Sequence, residues 1–322
     1  MKVGIDISSV VYGTGASNYT KDLVSHLKPL LGDSLKTFGF SLRRRQDDFF
    51  PFPPTLMDFI WNRLHIVNVE AFVGPFDVYH SSDWTQGPSK AKKVTTIHDL
   101  SPFLYPSETH PKIVAVHTRR MKWVVAECDK IICVSQNTAA DMLRLFPSTS
   151  SRLVVIPEAL PSRFLLKPRT SNLKPYIFAI GTRQPRKNIA RLKLACAKLG
   201  QKLILVGEGS DLGHVSDQEL VNYLAGASVF VYPSLYEGFG LPVLEAFHFK
   251  VPVACSNTSS LPEVAGKAAV YFDPLSVDSI TAGISRAMES RKQLVAAGTK
   301  QISKFSWDKT AQKTLEVYKS VC

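Results

Sequence analysis

Two glutamates eight residues apart, Glu237 and Glu245, lie in the segment PSLYEGFGLPVLEA over residues 233–246. Carboxylates accept hydrogen bonds from hydroxyl groups, and a pair at this spacing is suited to grip the hydroxyls of a sugar and of a ribose. Gly238 and Gly240 free the backbone around Phe239 so that its N–H groups can face a ligand. Pro242 suits the first turn of a helix opening near Leu241, which leaves Glu237 in a loop and puts Glu245 one turn into that helix. The simpler account is that Glu245 merely favours the helix dipole and Glu237 is a loop carboxylate. A loop this apolar and glycine-rich weighs against it.

Upstream, GTRQPRKN over residues 181–188 follows an apolar run. Its cations Arg183, Arg186 and Lys187, next to Gly181, form a clamp for a diphosphate, the guanidinium by bidentate bonds and the ammonium as a point charge. His98, followed by Asp99, closes another apolar run and is suited to hold a polar substrate or move a proton. A turn-capping Asp99 and a satisfied buried ring at His98 serve equally well at this point. Gly13-Thr14-Gly15 precedes a helical pattern, where backbone N–H groups could meet a phosphate; alone, it reads as an ordinary turn.

Such residues act only if elements hold them at one end of a sheet. Short β-branched runs recur along the chain: Val3–Ile7, Thr37–Phe40, Val78–His80, Val94–His98, Ile131–Val134 and Leu153–Ile156, then Tyr176–Ile180, Leu203–Val206, Val229–Tyr232, Val251–Cys255 and Ala269–Phe272. Amphipathic stretches such as Ser17–Leu27, Ala190–Leu199 and Ser276–Met288 alternate with them. Continuous apolar strands between helices predict parallel sheets covered on both faces. In such sheets ligands sit beyond the carboxyl ends of the strands, where the segments above fall. The expectation is an α/β chain of two Rossmann-like, doubly wound domains, residues 1–165 and 166–305. The proline-punctuated stretch 157–175 marks the boundary. A last helix, 306–322, carries Trp307, Ala311, Leu315 and Tyr318 on one face.

The formal net charge is +12, and both halves are basic: residues 1–165 carry 19 Lys+Arg against 15 Asp+Glu, the remainder 20 against 12. Phosphate-bearing ligands or an anionic membrane face fit that balance. Nucleic acid is not expected, because no recognised binding signature accompanies the charge. The five cysteines lack paired ligand spacing, so neither a zinc site nor a disulfide framework is expected. A carboxylate, Asp6, interrupts the short apolar start, and no run is long enough to span a bilayer. The expected location is cytoplasmic, either free or peripheral on the cytoplasmic membrane face.

The 237–245 pair resembles the E-x7-E element of retaining glycosyltransferases of family four, which have the GT-B fold. HSSDW at 80–84, TIHDL at 96–100, Val134-Ser135, GTRQPRKN at 181–188, VGEG at 206–209, Val215 to Asp217 and SLPEVAG at 260–266 follow in that family's order. The resemblance implies two domains facing a cleft, with the donor held mainly by the second and the final helix packing back on the acceptor-side first. It implies that Arg186 and Lys187 hold the donor diphosphate and that Glu245 binds the ribose. Glu237, with the backbone of Gly238, Phe239, Gly240 and Leu241, would hold the transferred sugar. His98 would touch that sugar near the reacting carbon, Gly13 and Gly15 would line the phosphate and acceptor side, and Gly181 and Arg183 would flank the donor. The expected activity is hexosyl transfer with retention and without a metal or other cofactor. The expected donor is GDP-mannose ahead of UDP-sugars, and the acceptor a saccharide or lipid-linked saccharide. A nucleotide-sugar epimerase of the same fold and a silent nucleotide-sugar-binding protein are the alternatives. Thr182 stands where many members carry an arginine, and Phe247 to Lys250 replaces a common Met-x-x-Gly.

One stretch falls outside these motifs. Arg43-Arg44-Arg45 precedes FFPFPP over residues 49–54, then Leu56, Met57, Phe59, Ile60, Trp61 and Leu64. The arginines with Phe49–Phe52 are expected to meet a membrane or the acceptor, and Ile60, Trp61 and Leu64 to pack a helix on the first sheet.

Overall fold

In a computed structural model of the protein, residues 1–13, 15–43, 48–169, 175–210 and 212–322 are described. Two compact units emerge: residues 1–158 with 307–322, and residues 159–306. The first unit thus ends at Glu158, seven residues before the boundary expected at 165, because the prolines after Pro157 belong to the opening of the second unit.

The first unit is built on a parallel sheet of seven strands: β1 (Val3–Asp6), β2 (Leu35–Phe40), β3 (Phe49–Phe50), β4 (Val78–Ser81), β5 (Lys92–Ile97), β6 (Lys130–Cys133) and β7 (Leu153–Val155), in the order 3-2-1-4-5-6-7. β1 and β4 are neighbours although they run to opposite halves of the sheet, which is the topological switch point. Val3 pairs with Val78 and Ser81 with Thr95, so the carboxyl ends of β1, β4 and β5 lie side by side.

The second unit has five parallel strands: β8 (Ile177–Ile180), β9 (Leu203–Val206), β10 (Val229–Tyr232), β11 (Val253–Ser256) and β12 (Ala269–Phe272), in the order 12-11-10-8-9. Its switch point falls between β8 and β10. Val229 pairs with Ile177, which brings Tyr232 and Ile180 to the same level. Strands read as continuous apolar runs because both faces are covered: Ile177, Phe178 and Ala179 and likewise Val229, Phe230 and Val231 are all fully buried, the odd-numbered ones against Leu192, Ile280 and Ile284. At the end of β9, Gly207 has φ +128°, and a Cβ there would fall 2.3 Å from the Gly181 carbonyl oxygen. Only glycine lets those two strand ends approach.

The last helix, Trp307–Val321, belongs to the first unit. Trp307 meets Tyr19 with ring centres 5.6 Å apart, and Tyr318 places its hydroxyl 2.6 Å from His80 Nδ1. Burial lowers the pKa of His80 to about 3, so the ring is neutral and serves as an internal link between sheet and helix.

Two expectations about the 43–64 stretch are corrected. Phe49–Phe50 is an edge strand beside β2, and Phe50 and Phe52 join Phe40, Trp61 and Phe72 in one aromatic cluster. These rings are core because each finds partners within about 6 Å in edge or offset geometry, which no local pattern foretells. Leu64, expected inside, is 48% exposed, whereas Trp61 is fully buried. The cause is a π-helix over Asp58–Leu64, whose wider turn moves Leu64 off the face that Trp61 buries. Arg44 and Arg45 lie outside the described residues, and Arg43 is exposed. Among the described residues no helix is long and apolar enough to cross a membrane.

Candidate functional site

The strand order of the second unit sets the loop after β10 beside the loop after β8, and the carboxylate and cations of the two loops meet there. Lys187 Nζ lies 2.6 Å from Glu237 Oε1, and Arg186 Nη1 lies 4.0 Å from Glu237 Oε2. The Leu235 N–H donates to the Arg186 carbonyl at 2.7 Å, and Arg186 Nη1 donates to the Tyr236 carbonyl at 3.2 Å, so backbone and side chain both lock the loops together. Ser234 donates to Glu237 Oε1 at 2.5 Å, and the Glu237 N–H donates to Ser259 Oγ at 3.1 Å. Asn188, in the left-handed region at φ 57°, turns the chain into the helix Ile189–Lys198 and donates to the Pro233 and Pro274 carbonyls.

Burial pushes the Glu237 carboxyl up, but the Lys187 and Arg186 charges, with hydrogen bonds from Lys187 and Ser234, outweigh it and hold the pKa below the ordinary value. Glu237 is therefore ionised at neutral pH. The three charged side chains are 12–15% exposed, so they interact at short range with little screening. Two cations share one carboxylate, which leaves the cluster with a surplus positive charge suited to an anionic ligand.

Glu245 stands in different surroundings. The helix Leu241–His248 starts after Gly240, whose φ of +103° only glycine adopts readily. Glu245 is buried, and among the described residues its carboxylate has no hydrogen-bond or ion-pair partner. Burial raises its pKa to about 7, the nearby Arg163 charge opposing and Asp217 reinforcing the shift. A buried, unpaired carboxyl is costly unless something supplies donors, and vicinal hydroxyls would do so. Phe239 buries its ring against Phe305 at 5.7 Å, and Ser260 takes up the Glu237 and Phe239 carbonyls, so the side chain of Phe239 is structural.

Because the folded pKa of Glu245 exceeds the ordinary 4.5, the group destabilises the fold progressively as pH rises from 4.5 to about 7. Glu245→Gln is expected to raise stability at pH 8 by on the order of 2 kcal/mol, with little gain at pH 4. The same variant should bind nucleoside diphosphate more weakly. Thermal melts at both pH values, with and without nucleotide, check both halves.

Arg183 separates from Arg186 and Lys187. It is exposed and lies across Gly209, where a Cβ would fall 2.2 Å from its Nε. It lines a surface cavity of about 520 Å³ together with Gly181, Arg191, Lys193 and Glu208.

In the first unit, His98 follows β5 and directs Nδ1 to Glu158 Oε1 at 2.7 Å. The Tyr19 ring stands edge-on to it with centres 4.6 Å apart. Burial opposes its protonation, yet the hydrogen bond and charge of Glu158, with the Asp83 and Asp99 charges, carry its pKa above the ordinary value. Asp99 also accepts from the Ser101 N–H and hydroxyl, the capping role open to it from sequence. Gly13 has φ +68°, whereas Gly15, the first residue of the helix Gly15–Leu31, needs no such backbone; a Cβ at either would meet nothing within 4 Å. Neither packing nor conformation explains glycine at 15, and open space before a helix start leaves room for a ligand. Thr14 lies outside the described residues.

Sequence reasoning missed two acids here. Asp6 ends β1, and burial raises its pKa to about 6 despite hydrogen bonds from Ser8. Glu158 lies outside every motif, and only its buried contact with His98 marks it. Asp6, His80, Asp83, Thr96 and His98 surround one small cavity of about 20 Å³ at the switch point. Among the described residues, no group of three His, Cys, Asp or Glu gathers as a metal site.

Comparisons with known proteins identify the family. Residues 13–161 match the model described as Glycosyltransferase Family 4, and residues 210–303 the model described as Glycosyl transferases group 1. The O-antigen chain mannosyltransferase B of Escherichia coli is 34% identical over 282 residues, covering 75% of this chain and 74% of that protein. The MMP alpha-(1->4)-mannosyltransferase of Mycolicibacterium hassiacum is 32% identical over 228 residues, covering 61% of this chain and 55% of that protein. The sucrose-phosphate synthase structure from Thermosynechococcus elongatus superposes with a TM-score of 0.75 at 17% identity, covering 99% of this chain and 98% of that one. With two Rossmann-like units of the GT-B type, a matching family model and a relative at this identity, the chain belongs to glycosyltransferase family four.

Proposed function

We propose that the protein transfers a mannosyl group from GDP-mannose, with retention of anomeric configuration and without a metal, to a saccharide or lipid-linked saccharide. The observation that carries this reading is the partly buried Lys187–Glu237–Arg186 cluster at the β8/β10 switch point, within the same unit as the unpaired Glu245. Arg186 and Lys187 take the diphosphate and stabilise it as it departs, in the place a metal would otherwise fill. Displacement of Glu237 from Lys187 by phosphate frees that carboxylate for the sugar hydroxyls, and Glu245 takes the ribose. His98 hydrogen-bonds the reacting sugar, and the Gly13–Gly15 turn leaves room for phosphate and acceptor. Rate then comes from positioning and electrostatic stabilisation. Mannose is preferred because both relatives named above are mannosyltransferases.

Thermal melts against a panel of nucleotide sugars test the donor, since a ligand bound to the native state raises its stability by mass action. GDP and GDP-mannose should raise Tm most, and transfer should survive EDTA. Stabilisation by a UDP-sugar alone would replace the donor; a strict need for Mg²⁺ or Mn²⁺ would overturn the metal-free clamp.

Peripheral contact with the cytoplasmic membrane face is part of the same proposal, shifted by the structure away from Phe49–Phe52. Leu42, Phe59 and Leu64 are 62%, 49% and 48% exposed, and Arg43 adjoins Leu42. Wild-type protein should sediment with anionic vesicles at low salt and release as salt rises, each cation near the surface contributing ~1 kcal/mol. Replacing Arg43, Arg44 and Arg45 with glutamine should abolish sedimentation and leave donor affinity intact. Indifference of the wild type to anionic vesicles removes the membrane contact.

A further inference from the structure

We propose that Glu158 is a positioning residue for sugar transfer: it holds the His98 ring with both nitrogens protonated, so that Nε2–H stands ready as a donor to the reacting sugar. This rests on the reading above, in which His98 meets that sugar.

The pairing is direct and enclosed. Glu158 Oε1 lies 2.7 Å from His98 Nδ1, with the side chains 5% and 22% exposed. A carboxylate only accepts, so Nδ1 carries the proton. Glu158 is itself held in place from both sides of the chain. The Ile156 N–H donates to the Cys133 carbonyl at 3.0 Å, which extends the β7 edge, and the Pro157 carbonyl accepts from Thr310 Oγ1 at 2.8 Å on the last helix. The Tyr19 ring, edge-on to His98, fixes the imidazole plane, and Tyr19 in turn bonds Thr96 Oγ1 at 3.2 Å.

The charges around the ring favour the cation. Glu158, Asp83 and Asp99 all stabilise imidazolium; the buried His80 ring is neutral and adds no competing charge, and the buried Tyr19 phenol stays uncharged. Among the described residues Nε2 has no hydrogen-bond partner. The state of the ring decides what it offers there. Neutral imidazole protonated at Nδ1 presents an acceptor lone pair at Nε2, whereas imidazolium presents a donor. A sugar that accumulates positive charge at its reacting carbon, with a phosphate leaving, needs its hydroxyl and phosphate oxygens met by donors. Glu158 therefore sets the polarity of His98 toward substrate.

Because imidazolium exists below the folded pKa, a raised pKa extends the active form to higher pH. Glu158→Gln keeps the shape but removes the charge. It should move the alkaline limb of the kcat–pH profile down by about one unit and lower kcat at pH 8 by about tenfold, with donor KM changed less than about threefold. Long-range ¹H–¹⁵N NMR on the wild type, independent of any variant, should show both His98 nitrogens protonated at pH 7. A neutral His98 ring in the wild type, or an alkaline limb that stays in place in a folded Glu158→Gln enzyme, overturns the proposal. Protein inactive with every nucleotide sugar, yet carrying a doubly protonated His98, would overturn the function reading and leave the Glu158–His98 coupling standing.

Discussion

Lys187→Ala is expected to weaken binding of the donor and of the nucleoside diphosphate alike by about 30-fold, or ~2 kcal/mol, and of the nucleoside monophosphate much less. Nζ is 15% exposed and already paired at 2.6 Å with Glu237, so its charge acts in a desolvated setting where loss is expensive. Arg186, 4.0 Å from the same carboxylate, would retain part of the attraction for phosphate. The variant should also change acid stability. In the wild type the Glu237 pKa is held below the ordinary 4.5, so the stability it lends is present above 4.5 and lost as pH falls through the folded value. Without Lys187 burial gains ground, that pKa rises, and the loss begins at higher pH. Calorimetric titration with the three ligands checks the first claim. Equal losses for diphosphate and monophosphate would mean that Lys187 does not meet the β-phosphate.

Glu237→Ala should lower kcat by about 10²–10³-fold, the scale of removing one preorganised group that stabilises a transition state. Nucleotide affinity should stay level or improve, because Lys187 and Arg186 lose the carboxylate that competes with phosphate for them. Opposite movements of turnover and affinity separate a sugar-facing role from a purely architectural one. Collapse of nucleotide affinity with turnover preserved at saturation would pass the sugar role to Glu245. Glu237→Gln provides a folded control, since it keeps the Ser234 contact while removing the charge.

The two carboxylates illustrate how different surroundings divide one residue type into two protonation behaviours. Glu237, among cations, is ionised; Glu245, buried without partners among the described residues, titrates near neutrality. Their separation of eight residues places one before and one after the helix start at Leu241, so one loop-to-helix segment supplies both.

Much was determined by the amino-acid sequence alone. Strands such as Leu203–Val206 and Val229–Tyr232 are legible because a strand covered on both faces must be apolar throughout, a local property. The helix after Gly240 is legible from Pro242, and the two loops from their glycines and charges. Tertiary structure decided what meets what. Lys187 and Glu237 lie 50 residues apart and touch only because β10 inserts beside β8. Phe50 and Phe52 pack against the core through an aromatic cluster assembled from distant segments, and the π-turn that exposes Leu64 has no local signature. Glu158 and His98 lie 60 residues apart, with no spacing rule to join them. A sequence records each group's chemistry, but a pKa and a hydrogen bond depend on neighbours through space, and those are set when the strands take their order in the sheet.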